Sequence, residues 1–317
     1  MPVQGLVSVI CIAFNHEKWI EDTLISVIAQ DYQQVELIIV DNGSSDLSSA
    51  LIQKWKNGAQ TKMPVKVFLK TKPEGYCALF NEMLEMVNGE FVIDLSGDDQ
   101  LLPSHIRQSV SRLNEHSDAA FSFSDAWIVT EQGDKSTFYS RDKAGDLSSA
   151  VQDNWLYELL IWRNHICAPT VVFRTVLLRQ EGGYDASLSY EDFDVQLRLS
   201  RKYPAVFSDH IGVVKQKHLA SLSATQYQRY QSLMLPSTLQ VCRKVQSMNQ
   251  VASENSALRE RVMYELKHAL WSANFEVAEG FVHLGTELKI SGAKFLIYKL
   301  WLWARLDLSA LYVRLRG

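Results

Sequence analysis

The stretch Phe91-Val-Ile-Asp-Leu-Ser-Gly-Asp-Asp-Gln-Leu-Leu-Pro103 decides how the chain is read. It opens as a short apolar run, Phe91 to Leu95, of the kind that makes a buried strand. It then turns at Ser96-Gly97 and places two adjacent carboxylates, Asp98 and Asp99, just past the strand's end. In an open α/β sheet, ligands bind outside the carboxyl ends of the strands. Carboxylates placed there, beside a phosphate-bearing ligand, suit Mg²⁺ or Mn²⁺. The same residues also suit a solvated acidic turn before a helix capped by Asp99 or Ser104, so the neighbours must decide.

Upstream, Leu6 to Phe14 is a near-continuous apolar run, long enough for a central parallel strand. Asn15-His16 breaks it, and Ile20, Leu24, Val27 and Ile28 then recur at helical spacing. Val35 to Val40 reads as a second strand with Asp41 at its carboxyl end, and Asn42-Gly-Ser-Ser-Asp46 as a turn into a helix over Leu47 to Trp55. Val65 to Leu69 gives a third strand, and Gly75 to Val87 a helix closed by Asn88-Gly89. This β-α-β-α-β-α-β alternation with short loops predicts a doubly wound, Rossmann-like, mostly parallel sheet.

Downstream, a helix runs from Pro103 to Asn114, and Ala119 to Ser124 reads as a fifth strand ending at Asp125. Trp127–Thr130 and Thr137–Tyr139 read as a hairpin, and Asp142 to Val151 as a mobile polar loop. Trp155–Trp162 reads as helix, Pro169–Phe173 as strand and Glu191–Lys202 as helix; Ala205–Phe207 and Ile211–Val214 read as two short strands. From about residue 225 strand signals give way to two long helical stretches, Gln226–Gln246 and Ser253–Gly280, and a Trp/Leu/Lys/Arg-rich tail. The expected organisation is an α/β domain over 1–224 and a helical C-terminal extension over 225–317.

Composition narrows the classes of function. A chain of 317 residues, 47% hydrophobic and 21% charged, is ordinary for a soluble protein with a full α/β core. The formal charge of −4 argues against nucleic acid as a partner. Four scattered cysteines without a CxxC pair suggest neither a zinc site nor a disulfide framework. Neither a signal peptide nor an apolar run long enough to span a bilayer is evident, and a reducing, cytoplasmic setting fits.

Four polar constellations fall at strand or helix ends. Asp41-Asn42-Gly43-Ser44 follows strand two, where a carboxylate suits a nucleobase N–H and equally an Asx turn. The Asp98-Asp99 turn is the second. Glu191-Asp192 heads a helix after Gly182-Gly183-Tyr184-Asp185, as a general base or as acids that favour the helix dipole. His218 follows the last strand, where a neutral imidazole can ligate a metal or be merely structural.

Their order and spacing resemble family 2 glycosyltransferases of the GT-A fold. Val7 to Asn15 with Ile20 to Gln30 resembles that family's first strand and helix, and Glu36 to Asp46 its second strand and nucleotide-binding turn. Asn81, Gly89 to Ile93, Ser96 to Asp99, Gly182 to Asp185 and Glu191-Asp192 follow in the family's order. The resemblance covers about residues 5 to 223 and implies an inverting, metal-dependent hexosyltransferase of bacterial polysaccharide biosynthesis, of the O-antigen or capsule kind. The implied donor is a nucleotide sugar, most often a UDP-sugar, and the implied acceptor a saccharide hydroxyl, lipid-linked through a polyprenyl diphosphate in many relatives. It further implies nucleotide contacts from Phe14, Asn15, Glu17, Asp41, Asn42, Asn81, Ser96 and Gly97, with Asp192 as base and Glu191 beside it.

Two departures mark this chain. Asn42 replaces an acid in the second turn, and Ser96-Gly97-Asp98 stands where the family's Asp-x-Asp metal motif lies, so its first carboxylate is missing. By similarity to members with such a serine, Asp98 and His218 are the expected protein ligands of Mn²⁺ or Mg²⁺, with diphosphate and water completing the shell and Asp99 supporting. Asp94 is not expected to stand in, because it lies deeper on the strand and its side chain points differently.

The tail, Lys294 to Arg305 within 289–317, is too short to span a bilayer, flanked by basic residues and contains two tryptophans. It suits a peripheral helix on the cytoplasmic face of the inner membrane, and equally a helix packed on its own domain or on a second subunit of a homo-oligomer. Two rival functions remain at this level. One is a non-catalytic nucleotide-sugar or glycan-binding module, which the missing carboxylate would permit. The other is a nucleotidyltransferase, although Asn15-His-Glu-Lys18 lacks the glycine-rich loop that such an enzyme shows after strand one.

Overall fold

The computed structural model describes residues 2–219 and 221–316. Largely apolar runs are best covered on both sides, which places them in the middle of a parallel sheet. Three such runs become β1 (Val3–Ala13), β2 (Val35–Asp41) and β4 (Gly89–Ser96). β1 lies between the other two, parallel to both, and β3 (Val65–Leu69) extends the sheet beyond β2. Helices α1 (Ile20–Ile28), α2 (Ser48–Gly58) and α3 (Tyr76–Leu84) make the crossovers. In α1, Ile20, Thr23, Leu24 and Val27 recur at helical spacing and form its buried stripe. Ile10, Ile38, Ile39 and Phe91 are fully buried in this layer. Truncating Phe91 to alanine would cost about 3–5 kcal/mol, the usual price of so large a cavity.

Past β4 the sheet turns mixed. β5 (Gln100–Leu101) and α4 (His105–Glu115) are followed by β6 (Phe121–Thr130), β7 (Lys135–Thr137), α5 (Tyr157–Trp162), β8 (Val172–Arg174), α6 (Thr175–Gln180), α7 (Asp192–Ser200) and β9 (Ala205–Lys217). Among the described residues the strand order is β3-β2-β1-β4-β8-β6-β9-β5, with β7 on β6. β8 runs antiparallel between β4 and β6, whereas β6 and β9 are parallel. The mostly parallel sheet with a helical extension is therefore formed, with β5, β7 and β8 as antiparallel additions.

Several expected elements change shape. The fifth strand does not stop at Asp125; it continues as the first arm of the hairpin, and the returning arm is Lys135–Thr137 rather than Thr137–Tyr139. The two short strands near residue 210 are one strand, β9, whose register with β6 slips at Ser124/Asp125 and again at Asp125/Ala126. Ser208-Asp209-His210 reads as a break in sequence but is a bulge in a continuous ladder. The polar loop after β7 is anchored: Arg141 pairs with buried Asp125 at 2.6 Å and with Asp209 at 2.8 Å.

The remaining helices are α8 (Met234–Met248), α9 (Ala252–Trp271), α10 (Phe275–Glu287), α11 (Ala293–Ala304) and α12 (Ser309–Arg316). The second long helical stretch is thus two helices. Ala273 between them is left-handed at φ 56°, and Asn274 is buried, accepting from Ser232 N–H and donating to the Gln228 carbonyl. No glycine or proline marks that break. The chain divides into two compact units. The first comprises Met1–Leu156, Ile166–Ala186 and Arg198–Lys217 and holds the whole sheet; the second comprises Tyr157–His165, Ser187–Leu197 and His218–Gly317.

Two histidines are built into the first unit as neutral groups. His105 Nδ1 and His210 Nε2 lie 3.1 Å apart, and His210 Nδ1 meets Ser208 Oγ at 2.9 Å. Burial pushes the pKa of His105 down to about 3 and that of His210 to about 4, from 6.5. Below 6.5 the unfolded chain therefore binds protons that the native state refuses, so stability falls as pH drops from about 6.5 towards 4. An NMR titration of the His105 and His210 ring protons should show no inflection between pH 7.5 and 5.0; a midpoint near 6.5 for either would remove this account.

Candidate active site

The parallel strands end side by side, Ala13 of β1 level with Asp41 of β2 and Ile12 level with Ser96 of β4. Their outgoing loops are laced together. Asn15, left-handed at φ 56°, offers its amide oxygen to Ser45 N–H at 2.8 Å, while its own N–H donates to Ser44 Oγ at 2.9 Å. Glu17 N–H donates to Asp46 at 3.0 Å, and the Glu17 carboxylate accepts Leu47 N–H at 2.9 Å. Asn15 and Glu17 thus hold the loops after β1 and β2 against each other, leaving Phe14 exposed on that rim. Gly43, at φ 71°, is required: a Cβ there would fall 2.4 Å from the Lys72 carbonyl carbon.

Asp41 is buried at the end of β2. Its Oδ2 accepts Ser44 N–H at 3.1 Å, closing the turn, so the Asx-turn reading describes half of this side chain. Its Oδ1 is buried with no hydrogen-bond donor among the described residues. A buried, unsatisfied carboxylate oxygen costs free energy and marks a place prepared for a donor. Asn42 is used differently. Its amide donates to the Glu74 carbonyl at 3.0 Å and accepts Glu74 N–H at 2.9 Å, fixing the loop that leads into α3. Asn81 repeats that device on Tyr184, donating to its carbonyl at 2.7 Å and accepting its N–H at 2.8 Å. Gly183 beside it, at φ 68°, has no space for a side chain against the Asn81 amide.

At the end of β4, Gly97 allows a close approach. A Cβ there would meet His16 Nδ1 at 2.8 Å and Ala13 Cβ at 2.9 Å. Asp98 and Asp99 follow, both buried. Asp99 accepts Gln216 N–H at 3.0 Å, and burial followed by the charge of Asp98 pushes its pKa well above the usual carboxylate range. Of the two expected caps, Ser104 stands at the N-cap of α4, without a side-chain bond, and Asp99 is committed to Gln216. His16 is a neighbour that sequence reading missed, its Nε2 standing 4.0 Å from Asp98 Oδ1. The signal was its place directly after β1, where it read only as the end of an apolar run.

Asp94, on the same strand face as Ser96, is bound by two phenols: Tyr76 donates to one oxygen at 2.6 Å and Tyr184 to the other at 2.9 Å. Burial raises its pKa and those two hydrogen bonds oppose the rise. Each of its oxygens therefore accepts one phenol hydrogen bond.

The remaining expected residues belong to the second unit. Asp192 begins α7, its Oδ1 accepting Phe193 N–H at 2.7 Å, and the Glu191 carbonyl accepts Val195 N–H. The approach to them is pinned to α8. Ser189 N–H donates to Ser237 Oγ at 2.9 Å, Tyr190 and Thr238 hydroxyls meet at 2.7 Å, and Lys244 pairs with buried Asp194 at 2.7 Å. These anchors were invisible in sequence, because α8 carried no motif. His218 is buried directly after β9, and its carbonyl accepts the Ser221 hydroxyl at 2.6 Å.

Two adjacent buried carboxylates repel, and a divalent cation beside Asp98 would relieve that repulsion. Among the described residues no group of three or more His, Cys, Asp or Glu side chains gathers as a metal site. The donor set therefore fits a cation shared with oxygens of a bound diphosphate, and does not fit a closed protein cage.

An α/β sheet with an unsatisfied carboxylate oxygen after β2 and paired carboxylates after β4 has its polar groups where open α/β sheets bind ligands. Residues 8–156 match the family model described as Glycosyl transferase family 2. An uncharacterized glycosyltransferase of Haemophilus influenzae is 27% identical over 178 residues, 55% of this chain and 53% of its own length. The poly(ribitol-phosphate) beta-N-acetylglucosaminyltransferase TarS of Staphylococcus aureus is 26% identical over 209 residues, 64% of this chain and 34% of its own. The crystal structure of TarS in complex with UDP-GlcNAc superposes with a TM-score of 0.67 at 18% identity, over 87% of this chain and 80% of that one. The mannosyltransferase PcManGT from Pyrobaculum calidifontis, in complex with GDP-Man and Mn²⁺, gives 0.59 at 15% identity, over 97% of this chain and 86% of that one. At these identities the two structures establish the shared fold.

Asp94 and Asp98 are separable by mutation. Asp98→Ala should remove the Mn²⁺ dependence of the thermal unfolding midpoint measured with UDP present. Asp94→Asn strands one tyrosine hydroxyl and should lower stability by about 1–3 kcal/mol in chemical denaturation while leaving the Mn²⁺ response in place.

Proposed function

We propose that this protein is an inverting, metal-dependent glycosyltransferase that moves a hexosyl group from a UDP-sugar to a hydroxyl of a saccharide acceptor in cell-surface polymer biosynthesis. The observation that carries the reading is the unsatisfied Asp41 Oδ1, two strands across from the Asp98-Asp99 turn. With strands about 4.8 Å apart, the separation is roughly 10 Å, the reach from a nucleobase edge to a diphosphate. The nucleoside then lies across the end of β1, over Asn15 and Gly97, with Phe14 at the rim.

The geometry at Asp41 favours uracil over guanine. Guanine presents two parallel N–H donors, which call for both carboxylate oxygens. Asp41 Oδ2 is already engaged by Ser44 N–H, leaving one oxygen for the single imide N–H of uracil. TarS, solved with UDP-GlcNAc, makes that sugar nucleotide the first donor to test.

In the proposed reaction the acceptor oxygen bonds to the anomeric carbon as the bond from that carbon to the diphosphate breaks. The acceptor proton passes to Asp192, and the nucleoside diphosphate leaves with the bonding pair. A single displacement of this kind inverts the anomeric centre. Asp98 and His218 are the chain's proposed cation ligands, Glu191 flanks the base, and the cation when bound neutralises charge on the departing diphosphate. Asp192 takes the base role from its position in the family's order; pinning of residues 189–194 to α8 supports it, because a base must be held at a fixed distance from its proton.

Three measurements test this reading. With Mn²⁺ present, UDP should raise the unfolding midpoint and GDP should raise it less; equal shifts would remove the role given to Asp41. Asp41→Asn should weaken UDP binding by about 10- to 100-fold, the worth of one hydrogen bond to a charged group. Asp192→Asn should abolish transfer and leave UDP binding intact, so near-normal turnover in that variant would overturn the assignment. A protein that responds to no sugar nucleotide at all would be a glycan-binding module, as the missing carboxylate at Ser96 would allow.

A further inference from the structure

The second unit carries an apolar face that its own packing does not use. Helix α11 is firmly seated on one side. Phe295 and Tyr298 are buried, and the Phe295 ring fills the space at Gly285 of α10, where a Cβ would lie 2.9 Å from it. On the other side Leu296, Ile297, Leu300 and Trp303 recur at i, i+1, i+4 and i+7, all exposed, with Trp303 at 85%. A well-packed helix that presents four large apolar side chains to solvent on one stripe has a partner.

Charge indicates which partner. Residues 289–317 contain six lysines and arginines against one acid, Asp307, so the segment carries +5 within a chain of net −4. Lys294 and Lys299 border the stripe, and their long stems allow the ammonium groups to stand above a buried apolar edge. Beside α11 an open cleft of about 530 Å³ adds two further cations, Arg259 and Lys267, and the aromatic faces of Trp162 and Tyr264. Glu260, which also lines it, is held by the Trp162 indole N–H. At twelve residues α11 is about 18 Å long, far short of a bilayer core of about 30 Å. Among the described residues no helix is long and apolar enough to cross a membrane.

We propose that α11 docks the protein on an anionic lipid surface. It lies in the plane of the interface with Leu296, Ile297, Leu300 and Trp303 inserted among the acyl chains near the headgroups. Lys294, Lys299 and the cations of the adjacent cleft face the lipid phosphates. A second protein copy fits less well, because two such faces would bring like charges together across an apolar seam. This docking is independent of the transfer reaction, since it needs neither donor nor cation.

Flotation of the full chain with vesicles tests it. Phosphatidylglycerol–phosphatidylcholine vesicles should carry the protein upward, pure phosphatidylcholine vesicles should carry much less, and added salt should weaken the difference. The double variant Leu300→Ser/Trp303→Ser should lose flotation. Lys294→Gln and Lys299→Gln should each lower partitioning about fivefold, the effect of one cation near an anionic surface. All four positions are exposed, so circular dichroism melts and the UDP response should stay at wild-type values. Failure to float with anionic vesicles, by a chain that melts normally, would overturn the proposal. So would light scattering that shows a dimer abolished by Leu300→Ser/Trp303→Ser in a protein that does not float.

Discussion

Three parallel strands ending at one level are the constraint on which the rest depends. β2, β1 and β4 are largely apolar and pair side by side in parallel, so their carboxyl ends share one edge. Everything polar that follows them is thereby brought together: Asp41 from one side, Asn15 and His16 from the middle, Gly97 to Asp99 from the other. Gly97 sets how tightly this happens. Without a side chain it lies against Ala13 and His16, at a separation that any Cβ would forbid.

The loops at this edge are held by side-chain amides and carboxylates used as splints. Asn15, Glu17, Asn42 and Asn81 each bond to the backbone of a loop from another part of the chain. Residues named as nucleotide contacts on family resemblance thus have a visible structural task. Their amides and carboxylate hold the rim, and among the described residues Asp41 Oδ1 has no hydrogen-bond donor. Held through Oδ2 by Ser44, the Asp41 carboxylate presents Oδ1 in a fixed direction.

The second unit follows other rules. Its helices pack around an apolar core, and α8 fixes the start of α7 through hydroxyl pairs and the Lys244–Asp194 ion pair. Replacing Lys244 would take its ammonium away from the buried Asp194 carboxylate, a costlier change than the pair itself is worth. The remaining face of the unit is basic and apolar, quite unlike the acidic remainder of the chain.

Periodicity and strand-end chemistry made much legible in the sequence: the four leading strands, their crossovers, and the placement of Asp41, Asp98 and Asp99 at strand ends. These are local properties, set by which runs are largely apolar and which residues terminate them. Tertiary structure alone decided three other matters. It made one bulged strand of the two halves of β9, because a ladder with β6 pays for the polar interruption at Ser208–His210. It divided the second long helical stretch at Ala273-Asn274, where a buried amide with partners distant in sequence replaces the usual glycine. And it decided how the acidic groups near the strand ends are engaged: Asp94 accepts from two tyrosines and Asp99 from Gln216 N–H, while Asp41 Oδ1 has no donor among the described residues. A sequence shows which groups are able to bind; which of them are already bound is fixed by partners far along the chain.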